Sequence, residues 1–246
     1  MPNDPYLDAS VAWRIKSGIL DLHEAGYRDI REAILSSGLA TDVIGLISAG
    51  KEADVYLAGF NEGPIAIKIY RLYQTSHKGG GSIKLDQTGW LAAKEYEMTR
   101  QAWKGGVRVP TPARRAENMF SMRYVGDESG PAPRLNDIEL DEPESFLTKV
   151  INGVEELAKA GVVHSDLSAY NILVYDREPW FIDFSEALRV DRLGNAPWQR
   201  LQEASVALER GLNSLKGYFS KYGLEIDSKT AISRILRTLD KFGVLE

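Results

Sequence analysis

The chain has 246 residues and 43% of them are hydrophobic, which is enough to bury a substantial core in one domain or in a two-lobed unit. A formal net charge of −5 argues against a generally basic protein that coats nucleic acid, and the lack of cysteine excludes disulfides, thiolate metal sites and cysteine nucleophiles. No run approaches about 18 uninterrupted apolar residues and the start has no basic region followed by an apolar one, so we expect a cytoplasmic protein without a membrane partner.

The N-terminal part of the chain predicts two helices followed by three strands. Apolar residues recur at helical spacing over residues 10–26 and again over residues 29–37. No cluster of arginine and lysine marks a recognition helix, so packing elements are favoured over a winged-helix-like module. The strands, which are rich in β-branched and aromatic residues, are predicted at residues 43–49, 53–60 and 65–71.

The turn between the first two strands, residues 48–55, lies where a phosphate-covering loop is expected. It contains one glycine and fails the G-x-G-x-x-G pattern, so taken alone it is a weak signal for phosphate. Gly50 nevertheless permits a tight backbone, and Ser48 and Lys51 offer hydrogen-bond donors to a phosphate group. We therefore keep this turn as a candidate nucleotide-binding loop.

A single lysine, Lys68, interrupts the apolar run of the third strand. Burying an ammonium group is costly unless it is paired, so Lys68 needs an anionic partner if the strand is internal. The alternative is an edge strand with the lysine in solvent. Glu95 lies on the next predicted helix, residues 88–103, and an ion pair between a strand lysine and a helix glutamate orders the ATP phosphates in protein kinases.

Between this strand and this helix, residues 72–87 contain three consecutive glycines and few apolar residues, which predicts a mobile loop. Thr75 and Ser76 within it are candidate self-phosphorylation sites. Further along, the pattern predicts a strand at residues 119–125 and helices at residues 143–160, 199–222 and 228–242. A local basic concentration is either a solvated face or a nucleic-acid contact, and it consists of Arg100, Lys104, Arg108, Arg114 and Arg115.

The most specific chemical pattern lies at residues 162–187. Apolar runs on both sides of a turn at residues 176–179 predict a hairpin with polar groups at its ends, so Asp166, Asn171 and Asp183 are expected to converge. Their types and order match the phosphoryl-transfer template of protein kinases. One carboxylate, one amide oxygen and the phosphates suffice for Mg²⁺, a hard cation that prefers oxygen ligands. A solvated turn with chance acidic residues is the alternative.

With these residues in place, the sequence resembles the RIO family of atypical protein kinases over nearly the whole chain, most closely its first subfamily in an archaeal-sized form. The similarity is carried by residues 47–56, 67–70, 90–112, 163–172 and 219–223. The resemblance implies an α+β, bilobal protein-kinase-like fold with a small β-rich N-lobe and a reduced helical C-lobe. The implied divisions are an N-terminal helical extension at residues 1–41, the N-lobe at residues 42–125, and a C-lobe without an activation segment at residues 126–246.

The resemblance also implies ATP as a substrate, with Mg²⁺ or Mn²⁺. Asp166 is then the catalytic acceptor, and Asn171 and Asp183 are the metal ligands. Because the metal-binding aspartate of this family is linked to an aspartyl-phosphate intermediate, Asp183 is also a candidate phosphate acceptor, as in ATPases with carboxylate nucleophiles. The implied nucleotide-binding residues, in the phosphate loop, the lysine clamp and the hinge, are Ser48, Lys51, Glu52, Val55, Lys68, Glu95, Arg123 and Val125.

Members of the family act in late maturation of the small ribosomal subunit, which implies a pre-40S or 30S-type particle, protein and rRNA, as the partner. The sequence departs from the family pattern at Ser185, at Arg123 and in the mobile loop, which is unusually rich in glycine. Ser185 replaces the glycine of Asp-Phe-Gly, which makes a flipping motif doubtful, and Arg123 stands where the hinge is often acidic, so that only its backbone is expected to contribute.

Three other interpretations remain open at this point. A small-molecule phosphotransferase of the aminoglycoside-kinase type shares the catalytic pattern but is expected to have a larger C-terminal lobe. The small kinase of a tRNA-modification complex lacks a comparable N-terminal helical region. A ribosome-assembly factor that uses nucleotide only to time its release belongs to a different functional class, and the sequence does not separate it from a protein kinase.

Overall fold

A computed structural model describes residues 9–24, 27–50, 52–71, 73–77, 83–84, 88–191 and 197–239. The helices are α1 (Ala9–Lys16), α2 (Tyr27–Ser36), α3 (Thr88–Lys104), α4 (Pro143–Lys159), α5 (Pro197–Phe219) and α6 (Ser228–Leu239). The longer strands are β1 (Leu20–Glu24), β2 (Asp42–Ala49), β3 (Ala53–Phe60), β4 (Gly63–Tyr70), β5 (Tyr73–His77), β7 (Pro112–Ala116), β8 (Met119–Arg123), β12 (Ile172–Tyr175) and β13 (Glu178–Phe181). The two-residue strands are β6 (Ile83–Lys84), β9 (Gly126–Asp127), β10 (Gly130–Pro131), β11 (Val162–Val163) and β14 (Leu188–Arg189).

The chain falls into two compact units. The first unit lies within residues 1–94 and 112–124, and the second unit lies within residues 95–111 and 125–246. Among the described residues, no helix combines the length and the apolar character needed to cross a membrane.

The first unit is built on a five-stranded antiparallel sheet in the order β2-β3-β4-β8-β7. Strands β3 and β4 form a hairpin with a two-residue turn, Asn61 and Glu62, both at positive φ (48° and 66°), as such turns require. Side chains alternate along the strands, and one face of the sheet packs its buried Tyr56 and Ile67 with Ile34 of α2 in one apolar cluster. The strands predicted at residues 43–49, 53–60 and 65–71 are therefore confirmed.

A three-stranded sheet in the order β1-β5-β6 corrects two predictions. The helix predicted over residues 10–26 ends at Lys16, because Gly18 adopts a left-handed backbone (φ 68°) and the amides of Gly18 and Ile19 close the helix end. The prediction of a mobile loop over residues 72–87 is wrong for the two segments that form strands β5 and β6. The rest of that loop lies outside the described residues.

The second unit is organised around α4, whose apolar side carries buried Phe146, Val150, Val154 and Leu157. This side belongs to a core that also includes residues of α5, α6 and the hairpin of β12 and β13. Gly153 is needed on α4, because a Cβ atom there would come within 2.5 Å of a ring carbon of Phe181. The helices predicted over residues 143–160, 199–222 and 228–242 are confirmed by α4, by α5 with the 3-10 turn at Ser220–Tyr222, and by α6 as far as Leu239. Residues 240–242 lie outside the described residues.

Two glycines of α5 provide a matched test of how closely this helix approaches Leu167. A Cβ atom at Gly211 would lie 2.8 Å from the Leu167 Cβ, whereas nothing lies within 4 Å of a Cβ at Gly217. Because the Cβ of Leu167 cannot move without its backbone, Gly211→Ala is expected to lower the free energy of unfolding by about 1–3 kcal/mol. Gly217→Ala should raise it by about 0.5–1 kcal/mol through helix propensity. Denaturant titration of both variants measures the difference, and equal effects would contradict the close approach.

Candidate active site

The loop that carries Asp166 follows β11 and is supported from inside by His164. The His164 side chain is only 3% exposed, and its Nε2 lies 2.9 Å from the carbonyl oxygen of Ile182. Since a carbonyl can only accept, Nε2 carries the proton. Burial lowers the pKa of His164 and outweighs the opposing backbone hydrogen bonds, so the imidazole is neutral at neutral pH. The Nε2 proton is engaged with the Ile182 carbonyl, so His164 supports the loop.

The backbone turns sharply at Ser165, just before the candidate catalytic aspartate. Ser165 has φ 32°, a left-handed conformation that residues other than glycine seldom adopt and that is often retained at functional sites. Its carbonyl oxygen accepts a hydrogen bond from Nη2 of Arg210 on α5, and the amide of Asp166 donates to the carbonyl of His164. The turn leaves Asp166 exposed.

The structure brings Asp166 and Asn171 together. The Asn171 Nδ2 donates to the backbone oxygen of Asp166 at 2.8 Å and to its carboxylate Oδ2 at 2.9 Å. Because both contacts use the amide nitrogen, they fix the orientation of the amide group and leave its Oδ1 oxygen for other partners. The pair therefore presents a carboxylate and an amide oxygen in fixed positions.

Asp183 follows β13 on the other strand of the hairpin. The amide of Ile182 donates to the backbone oxygen of Asn171 at 3.0 Å, which ties the strand end before Asp183 to Asn171. Asp183 itself has φ 63°, again a left-handed backbone, and its Oδ1 accepts a hydrogen bond from Ser185 Oγ at 2.9 Å. Ser185, the departure from Asp-Phe-Gly, thus orients the Asp183 carboxylate, a role that the sequence analysis missed.

The oxygen donors in this region fit a hard divalent cation. Among the described residues, no group of three or more His, Cys, Asp or Glu side chains is placed to hold a metal ion. Mg²⁺ does not require such a cage, because it binds through one or two carboxylates and fills its other positions with phosphate oxygens and water. Asn171 and Asp183 stay the predicted ligands of Mg²⁺, or of Mn²⁺, which accepts the same oxygen ligands.

In the first unit, Lys68 lies on the central strand β4 and is only 8% exposed. Its backbone pairs with Val55 of β3 and Phe120 of β8, and its Nζ lies 5.6 Å from the centre of the Tyr70 ring. The alternative of an edge-strand lysine in solvent is therefore wrong. Arg123 pairs with Ile65, which strand alternation places on the opposite face of the sheet from Lys68.

The candidate phosphate loop connects Ser48 at the end of β2 to Val55 on β3. Gly50 donates to the carbonyl of Ala53 at 3.0 Å, and a Cβ at Gly50 would lie 2.5 Å from that oxygen, so glycine is required. Lys51, one of the predicted phosphate donors, lies outside the described residues.

Arg71, directly after β4, braces this loop in a way that the sequence analysis did not foresee. Its amide donates to the carbonyl of Glu52 at 2.9 Å, and its Nη2 donates to the carbonyl of Gly50 at 2.8 Å. The sequence feature that could have indicated these contacts is an arginine immediately after the strand that carries Lys68. The two hydrogen bonds hold the carbonyls of Gly50 and Glu52 in place.

The remaining predicted residues lie in the second unit. Glu95 of α3 is 2% exposed, and its Oε1 accepts the amide of Phe184 at 3.1 Å. Val125 is buried, and its carbonyl accepts the amide of Ala132 at 3.0 Å. The ion pair of Glu95 with Lys68 and the nucleotide contacts of Arg123 and Val125 stay predictions.

Comparison with known proteins gives similarities in sequence. A protein-family model described as the RIO domain matches residues 54–231. A Thermoplasma acidophilum protein named RIO-type serine/threonine-protein kinase Rio1 is 30% identical over 177 residues, which cover 66% of this chain and 88% of that protein. The protein of the same name from Haloferax volcanii is 29% identical over 198 residues, 74% of this chain and 65% of its own length. The chain therefore spans less than two thirds of that relative.

Comparison with solved structures gives a similarity in fold. The Rio2 kinase from Chaetomium thermophilum, in a complex described as ADP/Mg²⁺-phosphoaspartate, superposes with a TM-score of 0.61 and 19% sequence identity. The superposition covers 95% of this chain and 79% of that one. The likeness confirms the predicted α+β, protein-kinase-like fold.

Proposed function

The chain belongs to the RIO domain family, as its motifs predicted, and from this premise we propose that it is an ATP-dependent atypical serine/threonine protein kinase and ATPase. It transfers the γ-phosphoryl group of ATP to serine or threonine of a protein, including itself, or to its own Asp183. The observation that carries this proposal is the Asp166 carboxylate held by Asn171, within the loop ahead of Asp183. An acceptor and two oxygen ligands in this order are what phosphoryl transfer requires.

In transfer to a hydroxyl group, the substrate oxygen forms the new bond to the γ-phosphorus while the bond to the β–γ bridging oxygen breaks and ADP leaves. The Asp166 carboxylate receives the hydroxyl proton, and the fixed contact with Asn171 keeps it oriented. In transfer to Asp183, a carboxylate oxygen is the nucleophile, so no proton has to move. Water then hydrolyses the acyl phosphate and releases phosphate, which completes an ATPase cycle.

ATP and Mg²⁺, with Mn²⁺ as a substitute, are the proposed substrate and cofactor. The metal ion, when bound, neutralises charge on the triphosphate, and Asn171 and Asp183 would hold it. Lys68 is proposed to contact the α and β phosphates, and a buried ammonium group suits that role. The remaining proposed nucleotide contacts are Ser48, Lys51, Glu52, Val55, Glu95, Arg123 and Val125.

The short stretch between Asp183 and the start of α5 at Pro197 favours an ATPase switch as a second candidate. Strand β14 comes shortly after Asp183 and pairs with β11, so the described chain returns to the core at once. From membership of the RIO domain family we propose that the protein acts in small ribosomal subunit maturation, on a pre-40S or 30S-type particle of protein and rRNA in the cytoplasm. The division at residues 41 and 125 into extension, N-lobe and C-lobe belongs to the same proposal.

The fate of ³²P from γ-labelled ATP tests these functions. Label on an added ribosomal protein, or on serine or threonine of the chain itself, supports the kinase. Label on Asp183 together with free phosphate supports the ATPase switch. Wild-type protein that neither becomes labelled nor releases phosphate in the presence of Mg²⁺ would contradict both, and label on an added aminoglycoside would favour the small-molecule phosphotransferase.

A further inference from the structure

We propose that Arg210 is a positioning residue of the catalytic loop, residues 164–167, and that it holds this loop so that Asp166 keeps its place during transfer. The role in transfer rests on the proposed function. Arg210 lies on α5, 45 residues beyond its partner in the loop, and nothing in the family pattern described above assigns it. It contacts the backbone of the loop and not the reacting groups, so it acts through Asp166.

The first observation is the contact itself. Nη2 of Arg210 donates to the carbonyl oxygen of Ser165, the residue whose backbone is left-handed. A hydrogen bond from a guanidinium group is charge-assisted and stronger than one between neutral groups. This carbonyl belongs to the peptide bond that joins Ser165 to Asp166. Fixing that peptide therefore fixes the backbone from which the Asp166 side chain starts.

The second observation is that α5 supports the same loop at a neighbouring position. Gly211 lies so close to Leu167 that a Cβ atom would come within 2.8 Å of the leucine Cβ. Arg210 and Gly211 therefore hold the loop on both sides of Asp166, one through a hydrogen bond and the other through close packing.

The third observation is that the loop and α5 border the same small cavity. His164, Ser165 and Leu167 line it together with Ala207 and Leu208 of α5. The turn of α5 that precedes Arg210 is therefore a direct neighbour of the loop.

The consequence for chemistry is specific. The Asp166 side chain is exposed, and within the described part of the chain its carboxylate is held by Asn171 Nδ2 at Oδ2, so its position depends on the backbone beneath it. Loss of the Arg210 contact should let the 165–166 peptide rotate and displace the carboxylate. A displacement of about 1 Å in a reacting group costs on the order of 10²-fold in rate. Nucleotide binding, which does not use Asp166 as a ligand, should be retained.

The test compares Arg210→Met, Arg210→Gln and Arg210→Lys with Arg200→Met, a control at an exposed arginine near the start of the same helix. We expect Arg210→Met and Arg210→Gln to lower kcat by about 10²-fold with KM for Mg·ATP unchanged. Arg210→Lys should recover part of the loss, because lysine carries a charged donor on a long side chain, whereas the glutamine amide is neutral and its side chain is shorter. Arg200→Met should behave as wild type. A wild-type kcat in Arg210→Met, or a loss shared equally by Arg200→Met, would overturn the inference.

A catalysis-independent measurement separates this inference from the proposed function. Between wild type and Arg210→Gln, the backbone amide chemical shifts of residues 165–167 should change by more than those of the hairpin formed by β12 and β13. Should Arg210→Met fail to fold, Arg210→Gln is judged by the same kinetic criterion. If wild-type protein proves inert towards ATP, the proposed function fails, and the amide signals alone decide whether Arg210 holds the loop. Unchanged signals for residues 165–167 would overturn it.

Discussion

Asp183→Asn is expected to abolish productive Mg·ATP binding, whereas Asp166→Asn is expected to bind Mg·ATP normally and to lose about 10²–10⁴-fold in turnover. Removing a metal ligand takes charge compensation away from the triphosphate in every state of the reaction. Removing a positioned base affects only the transition state. The two aspartates therefore differ in which step they support, and the difference appears as an effect on binding in one case and on rate in the other.

Both substitutions suit this comparison because the structure predicts that both variants fold. Asparagine tolerates the left-handed backbone of Asp183, and its side-chain oxygen can still accept the Ser185 hydrogen bond. At position 166 an asparagine oxygen can still accept from Asn171 Nδ2. A loss of function is then a loss of charge, not of structure.

Titration calorimetry with Mg·ATP and single-turnover kinetics measure the two effects. If Asp183 is also the phosphate acceptor, wild-type protein incubated with ATP should carry an acid-stable but hydroxylamine-labile phosphate, and Asp183→Asn should carry none. Equal weakening of Mg·ATP binding by both substitutions would contradict the division of roles. Label that survives Asp183→Asn unchanged would contradict Asp183 as the acceptor.

The features of this structure that can be predicted from the sequence are those that depend on local residue patterns. The hairpin of β12 and β13 follows from two apolar runs around a polar turn, and Asp166 and Asn171 meet because they are five residues apart in one loop. The register of β4 with β3 follows from strand alternation around a short turn. The pairing of β4 with β8 on its other side, which makes Lys68 internal, is seen only in the structure.

The features that the sequence does not predict depend on competition between patterns or on contacts distant in the chain. Leu20 and Leu22 fit the end of a helix as well as a strand, and the left-handed Gly18 together with the pairing to β5 decides for the strand. From the sequence alone, Arg210 is expected to be a solvated charge on a helix. Its partner Ser165 lies 45 residues away, so no local pattern indicates the contact. In the sequence, Ser185 is notable only as a replacement for glycine. Its hydrogen bond to Asp183 is seen only once the side-chain positions are known.

Lys68→Ala is expected to lower ATP turnover by at least about 10²-fold while the protein remains folded. The lysine is buried on a central strand, and alanine fits this position because Ala66 occupies the equivalent site two residues earlier on the same face. Loss of the ammonium group removes the proposed donor to the α and β phosphates. Lys149→Ala is the control, because Lys149 forms a partly exposed ion pair with Glu178 that should contribute about 0–1 kcal/mol and no catalysis.

A double-mutant cycle with Glu95→Gln tests whether Lys68 acts through the ion pair predicted from the sequence. Glutamine retains the oxygen that accepts the Phe184 amide, so the substitution removes charge and preserves that contact. If the two residues act as a pair, turnover of the double variant should be close to that of Lys68→Ala alone, because the second change removes nothing further. Losses that multiply would show that Glu95 acts separately, through Phe184. Wild-type turnover in a folded Lys68→Ala protein would remove the lysine from the nucleotide site altogether.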